Sequence, residues 1–442
     1  MAAINDTKSN MGTKMIIHGG KLATSKGLRS ADLEIDEELG IISNILPPSQ
    51  KTRSLKSRDK VYDATGKIIF PGGIDPHVHL RDPQSPQKED FYTGTCAALA
   101  GGYTTVFDMP NYFGPATTTA AAYSEKGKIA SSKAVCNWAL HFGATPTNHA
   151  EVKKANPPTL KAYLGETDSE LTFESLEGLL GHFEQFPHNR PICVHAEDLD
   201  ALKYFAKRFE GGRFSVQRPP AVAQAAAARV AILSTYFKRK IHLCHATTEL
   251  EMLSIKQNPL ATLEVTPHHL FLDSSYEKKL AGKLHHVKPP LRVADEVFNL
   301  WQTLPQIDCI ASDHAPHTLE EKQQGAAGFP GLETTLPLML WAYKRKVATI
   351  ESIVRLCMEG PAKIFGLERR GAINEGYAAD LAIFDLTKSW KVSPKTLFTK
   401  CGWSPFEGME IGPRPDAVFV GGKLAFENGQ ILAKKGSGKR VI

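Results

Sequence analysis

Lys67-Ile-Ile-Phe-Pro-Gly-Gly-Ile-Asp-Pro-His-Val-His79 decides how the chain is read: an apolar run of strand character, a Pro-Gly-Gly break, then acid and imidazole side chains at alternate positions. Short apolar, β-rich runs of the same kind recur at 104–108, 138–142, 160–164, 192–194, 241–244, 263–265 and 308–311. With 67–70 they make eight candidate strands. Ala-rich or amphipathic stretches separate most of them, as at 91–100, 116–132 and 220–237. Strands buried on both faces read as continuous apolar runs, so their alternation with helices predicts a parallel sheet. Eight repeats predict an α/β fold, a (β/α)8 TIM-like barrel.

Outside this region the texture changes. Met15-Ile-Ile-His-Gly-Gly, Ala31-Asp-Leu-Glu-Ile-Asp and Ile41-Ile-Ser-Asn-Ile are brief runs broken by glycine and charge. The C-terminal stretch repeats the pattern in Asp380-Leu-Ala-Ile-Phe-Asp, Ala417-Val-Phe-Val-Gly and Lys423-Leu-Ala-Phe-Glu-Asn-Gly. Neither end has enough apolar residues for a core of its own. The expectation is one small β domain made of 1–70 and 372–442, flanking a barrel over 71–371.

Composition fits a globular chain of 442 residues, 42% hydrophobic and 23% charged. A net charge of +6 is slight over this length, and the run Lys51, Arg53, Lys56, Arg58, Lys60 lacks aromatic or apolar partners, so it reads as a solvated loop and not as a nucleic-acid surface. The seven cysteines have no repeated spacing and no CxxC pair, which excludes a disulfide framework and a zinc ribbon. No run of 18 apolar residues occurs and residues 1–14 are polar, so the sequence predicts no membrane span, no signal peptide and a cytoplasmic location.

Chemistry enters through the strand ends. Asp75, His77 and His79 follow the first run, Asp108 and Asn111 the second; Lys161 lies in the fourth; His195, His245, Glu264 with His268 and His269, and Asp313 with His314 and His317 follow later ones. In a barrel such residues converge on one mouth. A His-x-His pair in a strand puts both rings on one face, because side chains alternate with period 2. His77 and His79 together with His195, His245 and Asp313 therefore read as a metal site. The donor set favours zinc, and manganese or cobalt would fit it too. Bound zinc lowers the pKa of its water to about 7, and Asp313 could carry the proton to a leaving nitrogen.

These motifs, Pro71-Gly-Gly-Ile-Asp-Pro-His-Val-His-Leu-Arg-Asp-Pro83, Met109-Pro-Asn111, Leu160-Lys-Ala-Tyr-Leu-Gly-Glu-Thr167, Val194-His-Ala-Glu197, His242-Leu-Cys-His245, Glu264-Val-Thr-Pro-His-His269, Ala311-Ser-Asp-His-Ala-Pro-His-Thr318 and Gly328-Phe-Pro-Gly-Leu-Glu-Thr334, run over nearly the whole chain. On them the chain resembles the cyclic amidohydrolases of the amidohydrolase superfamily, and within them most of all the dihydroorotases. The resemblance implies two zinc ions, one held by His77, His79, Lys161 and Asp313, the other by Lys161, His195 and His245. Lys161 would be carboxylated on its amine and bridge them. Some relatives bind a third ion near the positions of His195 and Glu264; Glu264 could equally be a buried hydrogen-bond acceptor. A free lysine near pKa 10.4 must lose its proton to be modified, which calls for burial and metal charge to lower it.

The substrate so implied is dihydroorotate, opened reversibly to N-carbamoyl-L-aspartate in the third step of pyrimidine synthesis. A metal-bridging hydroxide would attack the ring amide, with Asp313 as proton shuttle. Its ring carboxylate would be held by Arg81, Asn111 and His317, and its ring by the backbone of Pro330 and Gly331. Arg81 discriminates among relatives, since a guanidinium grips a carboxylate bidentately and the allantoinases and dihydropyrimidinases act on rings without one. Those two activities are the alternatives, with an inactive assembly subunit of the dihydroorotase type as a third. The resemblance also implies a homodimer and association with aspartate transcarbamoylase. Departures from the pattern are Lys288, where many relatives carry a substrate-touching asparagine, Tyr112-Phe113 after Asn111, and Asp168 after Thr167, in a candidate lid at 165–169.

Overall fold

The computed structural model describes residues 14–48, 60–111, 116–167, 171–280 and 282–442. The charged run at 51–58, Tyr112-Phe113 and the part of the candidate lid beyond Thr167 lie outside the described residues.

Parallel strands form the centre. Gly73–Val78, Tyr103–Asp108 and Asn137–Leu140 make a three-stranded sheet. Phe142–Gly143, Leu160–Leu164, Ile192–Ala196, Ile241–Leu243, Ala261–Val265 and Cys309–Ile310 make a six-stranded one, in chain order. Only His141 separates the two along the chain, so the run expected at 138–142 is a strand broken at one residue. Its ring bonds Pro76 O (2.9 Å) and Thr159 Oγ1 (2.7 Å), which links the two sheets across the break. At the other edges Val78 forms a parallel bridge with His314, and the His79 amide donates to His314 O at 2.8 Å.

The first expected strand needs correction. Ile68–Pro71 does not belong to the parallel set; it pairs with Lys21–Thr24 and Leu381–Phe384 in a seven-stranded sheet drawn from both ends of the chain. The parallel series starts one step later, at Gly73–Val78. The chain crosses between the sheets at Gly72, whose amide donates to Asp380 O (2.8 Å). A Cβ there would stand 2.1 Å from Thr104 Oγ1, so only glycine permits the crossing. A four-stranded sheet, ordered Ile41–Leu46, Asp32–Asp36, Lys14–His18, Lys60–Asp63, completes the β layer. Ile17, Leu33, Ile35, Ile69, Leu381, Ile383 and Phe419 fill the core between these sheets.

Helices follow the strands for local reasons. Asp90 and Thr93 form a capping box on Phe91–Gly101, and Gly102 ends it in the left-handed region at φ 89°. Pro220–Tyr236 starts with proline at its first turn, where a missing amide costs nothing. One end of the parallel set is plugged: Ile74, Phe107, Ala139, Cys193 and Cys244 cluster with Ala362, Phe365 and Leu367. Phe365 lies 4.9 Å from the Phe107 ring and 5.4 Å from the His242 ring. Polar side chains are left to gather at the other end, beyond the strands' carboxyl termini. No helix among the described residues is long and apolar enough to cross a membrane.

Candidate metal centre and substrate cleft

Alternation along Gly73–Val78 sends Asp75, His77 and, just past its end, His79 to one side. Asp75 is spent on architecture: it accepts the amides of His77 (3.1 Å) and Ser312 (3.2 Å), tying this strand to the start of the Asp313 loop. Burial pushes its carboxyl up to about 7. Asp108 is also structural, buried against Lys126 and accepting the Leu80 amide at 2.6 Å.

The other expected ligands meet. Asp313 Oδ1 stands 3.2 Å from Nε2 of His77 and 3.2 Å from Nε2 of His79. The His77 and His245 ring centres are 5.4 Å apart, and Nδ1 of His195 lies 2.9 Å from Nε2 of His245. Lys161 is fully buried, with Nζ 2.9 Å from Cys244 Sγ and 4.9 Å from the centre of the Tyr163 ring. The main chain bends sharply around this cluster: Arg81, His245 and Asp313 all adopt left-handed φ angles of 62°, 37° and 44°. Non-glycine residues pay for that conformation in strain, and such strain gathers at functional sites.

The electrostatics fit cations. Burial and Lys161 push the His77 ring down, yet Asp313 and Glu264 outweigh them and lift it to about 10. The ring thus sits where two carboxylates demand positive charge. Burial, with Arg81 nearby, takes His79 down to about 3, and burial holds His195 and His245 down as well. These are neutral imidazoles with lone pairs to give. Nδ1 of His79 and of His245 are buried without a hydrogen-bond partner. Asp313 stays ionised: burial opposes it, but His77 and His79 hold its carboxyl well below the usual range. A donor set of neutral imidazoles and a carboxylate, all buried and partly unpaired, is what a divalent-metal site needs.

Lys161 differs from the sequence-based expectation. Burial does push its ammonium down, but Cys244, Glu264 and Cys193 outweigh burial and the net direction is up. Burial alone therefore does not bring this lysine toward its neutral form.

Two carboxylates orient the rings from behind. Glu264 Oε1 is 2.5 Å from His77 Nδ1 and accepts the His245 amide (3.2 Å), while Oε2 is 3.0 Å from His242 Nε2. That is the buried-acceptor arrangement. Proton donation from Nδ1 leaves His77 Nε2 free to act as a ligand. Glu197 treats His195 likewise, with Oε2 3.0 Å from Nε2, and is itself gripped by Arg218 (Nη2–Oε2 2.8 Å, Nε–Oε1 3.2 Å). Arg218 also reaches Glu166 at 2.8 Å. Glu197, Arg218 and Glu166 were not singled out from sequence as site residues. Glu197, two positions after His195, could have been found by the period-2 rule; Arg218 comes from a distant loop and carries no such signal.

The cleft above the cluster is lined by His77, His79, Arg81, Asn111, Asp313 and His317, and also by Tyr163, Thr167, Lys288 and Gly328. Arg81 is buried, donating Nε–H to Pro316 O (3.2 Å), with Nη2 3.2 Å from His317 Nε2. Tyr163 donates its hydroxyl to Asn111 Oδ1 at 2.6 Å. Lys288 Nζ stands 3.9 Å from Glu166. Pro330 and Gly331 line a small cavity with Glu333, Thr399 and Trp403; the Gly331 amide donates to His314 Nδ1 at 3.1 Å, and Gly331 packs against Ser312, the residue before Asp313. Ala327 and Gly328, three residues earlier, line the cleft itself.

Residues 68–425 match the Amidohydrolase family, and the chain belongs to it. Within that family it is similar to dihydroorotases from Methanosphaera stadtmanae (35% identical, covering 88% of this chain and 92% of that one) and Pyrococcus furiosus (34%, covering 97% and 96%). It is also 34% identical to the multifunctional protein CAD of Squalus acanthias over 96% of this chain, which spans only 18% of that much longer protein. Among solved structures, the L-hydantoinase (dihydropyrimidinase) of Arthrobacter aurescens superposes with a TM-score of 0.91 at 28% identity, covering 97% of this chain and 99% of that one. The family and these neighbours imply a binuclear metal site.

Proposed function

We propose that the chain is a metal-dependent cyclic amidohydrolase that opens (S)-dihydroorotate reversibly to N-carbamoyl-L-aspartate, the third step of de novo pyrimidine synthesis. The carrying observation is that Arg81 and His317, 3.2 Å apart, share one cleft with His77, His79 and Asp313. An anion-binding pair beside a metal-type cluster suits a cyclic amide that bears a carboxylate.

In this reading the parallel strands close into a (β/α)8 barrel through the Val78–His314 bridge, with 71–371 as the barrel unit and 1–70 and 372–442 as the β unit. His77, His79 and Asp313 would hold one zinc ion and His195 and His245 the other, with Lys161, carboxylated on its amine, as a further ligand. Glu264 orients His77 instead of ligating a third ion. Such ions polarise the ring carbonyl and supply hydroxide at neutral pH.

The chain's own groups do the rest. Arg81, His317 and Asn111 bind the ring carboxylate and so fix which amide faces the cluster. Lys288 lines the same cleft. Asp313, held ionised, takes the proton of the attacking water on a carboxylate oxygen and passes it to the departing ring nitrogen. In the reverse direction it returns that proton as the ring closes and water leaves.

The structural likeness to L-hydantoinase favours a second reading, a ring without the carboxylate. Assay of purified protein with dihydroorotate, allantoin and dihydrouracil, with metal counted per chain, separates the two. Turnover of dihydroorotate with about two ions per chain supports the first; turnover of a neutral ring alone removes it. Homodimer formation and association with aspartate transcarbamoylase are further proposals, tested by sizing the protein alone and with that enzyme.

A further inference from the structure

His317 is buried with a cation at each ring nitrogen. Arg81 Nη2 is 3.2 Å from Nε2 and Lys88 Nζ is 3.3 Å from Nδ1. Glu321 stands beside them, Oε1 3.0 Å from Lys88 Nζ and Oε2 3.6 Å from His317 Nδ1. Burial, with Arg81 next in weight, takes the ring down to about 3, so it is neutral.

A neutral imidazole has one lone pair and one N–H. It cannot accept from Arg81 and Lys88 at once. In one tautomer Nε2 accepts from Arg81 and Nδ1–H points to Glu321. In the other, Nδ1 accepts from Lys88 and Nε2–H points toward Arg81 and the cleft. Only the second offers a donor to a carboxylate, and it lets Arg81 turn its own N–H groups on the same anion.

We propose that Lys88, anchored by Glu321, is a positioning residue that fills His317 Nδ1 and so holds Nε2–H ready for the substrate's carboxylate. The anchoring is firm for local reasons. Lys88 is buried, and Glu321 is fixed in the first turn of helix Leu319–Gln324, where its Oε2 accepts the Thr318 amide at 3.1 Å in a capping box. The two tautomers differ only in which nitrogen carries the proton, so the nearby cation and carboxylate set their ratio. The inference rests on the dihydroorotate reading for the identity of the anion, but not for the state of the ring.

The test is Lys88→Met, with Lys88→Arg as rescue, both on the metal-loaded enzyme. Losing one charge-assisted hydrogen bond to the binding ring predicts a KM for dihydroorotate raised about tenfold, with kcat nearly unchanged. Lys88→Arg should recover most of it. Nitrogen-15 spectra of histidine-labelled, ligand-free protein should show His317 losing its Nε2–H population in Lys88→Met and recovering it in Lys88→Arg. An unchanged KM and unchanged spectra would overturn the proposal. So would equal loss of kcat, metal and thermal stability without rescue by arginine, the mark of a merely structural lysine. If wild-type protein does not turn over dihydroorotate, the substrate reading falls, and the ligand-free spectra alone decide the tautomer.

Discussion

His77 and His195 stand on two sides of one cluster, each with a buried carboxylate behind it and a nitrogen facing the centre. The carboxylates are set differently. Glu264 is held by His77, His242 and the His245 amide, so much of its charge is directed at the imidazoles. Glu197 gives most of its charge to the two-pronged grip of Arg218. Burial opposes ionisation of both, and both remain ionised: Glu264 chiefly through His77, Glu197 chiefly through Arg218. One side of the cluster therefore directs two carboxylates, Asp313 and Glu264, at His77, while on the other side Arg218 takes up most of the charge of Glu197. A cation should lean on the first side for affinity and on the second for geometry.

The largest effect that would break this comparison is loss of the centre itself. Dialysis against a chelator should abolish turnover and added zinc should restore it, followed by activity and metal per chain; activity that survives complete metal loss would remove the centre from the chemistry. Asp313→Asn, on the charged side, should lower kcat by roughly 1000-fold through loss of the proton carrier, as single-turnover rates would show. Arg81→Met should raise KM for dihydroorotate about 100-fold with metal content intact, because a bidentate contact to the carboxylate is lost. Loss of metal instead would make Arg81 part of the scaffold.

The sharpest comparison is between the two supporting carboxylates. Glu264→Gln should weaken metal binding by about 10- to 100-fold, measured by competition with a chelating dye. Glu197→Gln should cost several-fold at most in the same assay, since Arg218 already neutralises that carboxylate and keeps Glu166 as a partner. Equal losses would erase the distinction between the sides.

Much of this was legible in the residues. The parallel strands could be read because buried strands are continuous apolar runs, and His77, His79, His195, His245 and Asp313 because each terminates such a run. The first strand was misplaced for a physical reason. Ile68-Ile-Phe has stronger strand character than Gly73-Ile-Asp-Pro-His-Val, which carries glycine, proline and charge. Its place in the parallel set is decided by pairing with Tyr103–Asp108, which no local signal reveals. The small cavity that Pro330 and Gly331 line could not be read locally, because loop paths depend on partners such as His314. The direction of the Lys161 shift depends on Cys244, which is far off in sequence and comes within 2.9 Å of its Nζ only in the fold.

The seven-stranded sheet has a consequence for how the chain is made. Ile68–Pro71 is completely buried, with Lys21–Thr24 on one edge and Leu381–Phe384 on the other. The first neighbour is synthesised before it and the second only after every parallel strand has left the ribosome. Until then a flat, apolar edge stays open, and open edges of that kind recruit other chains. The strand that seals it closes a loop around the whole catalytic region, so this contact forms late and slowly. The β layer thus works as a clasp that can be shut only once the part between its two halves has been made.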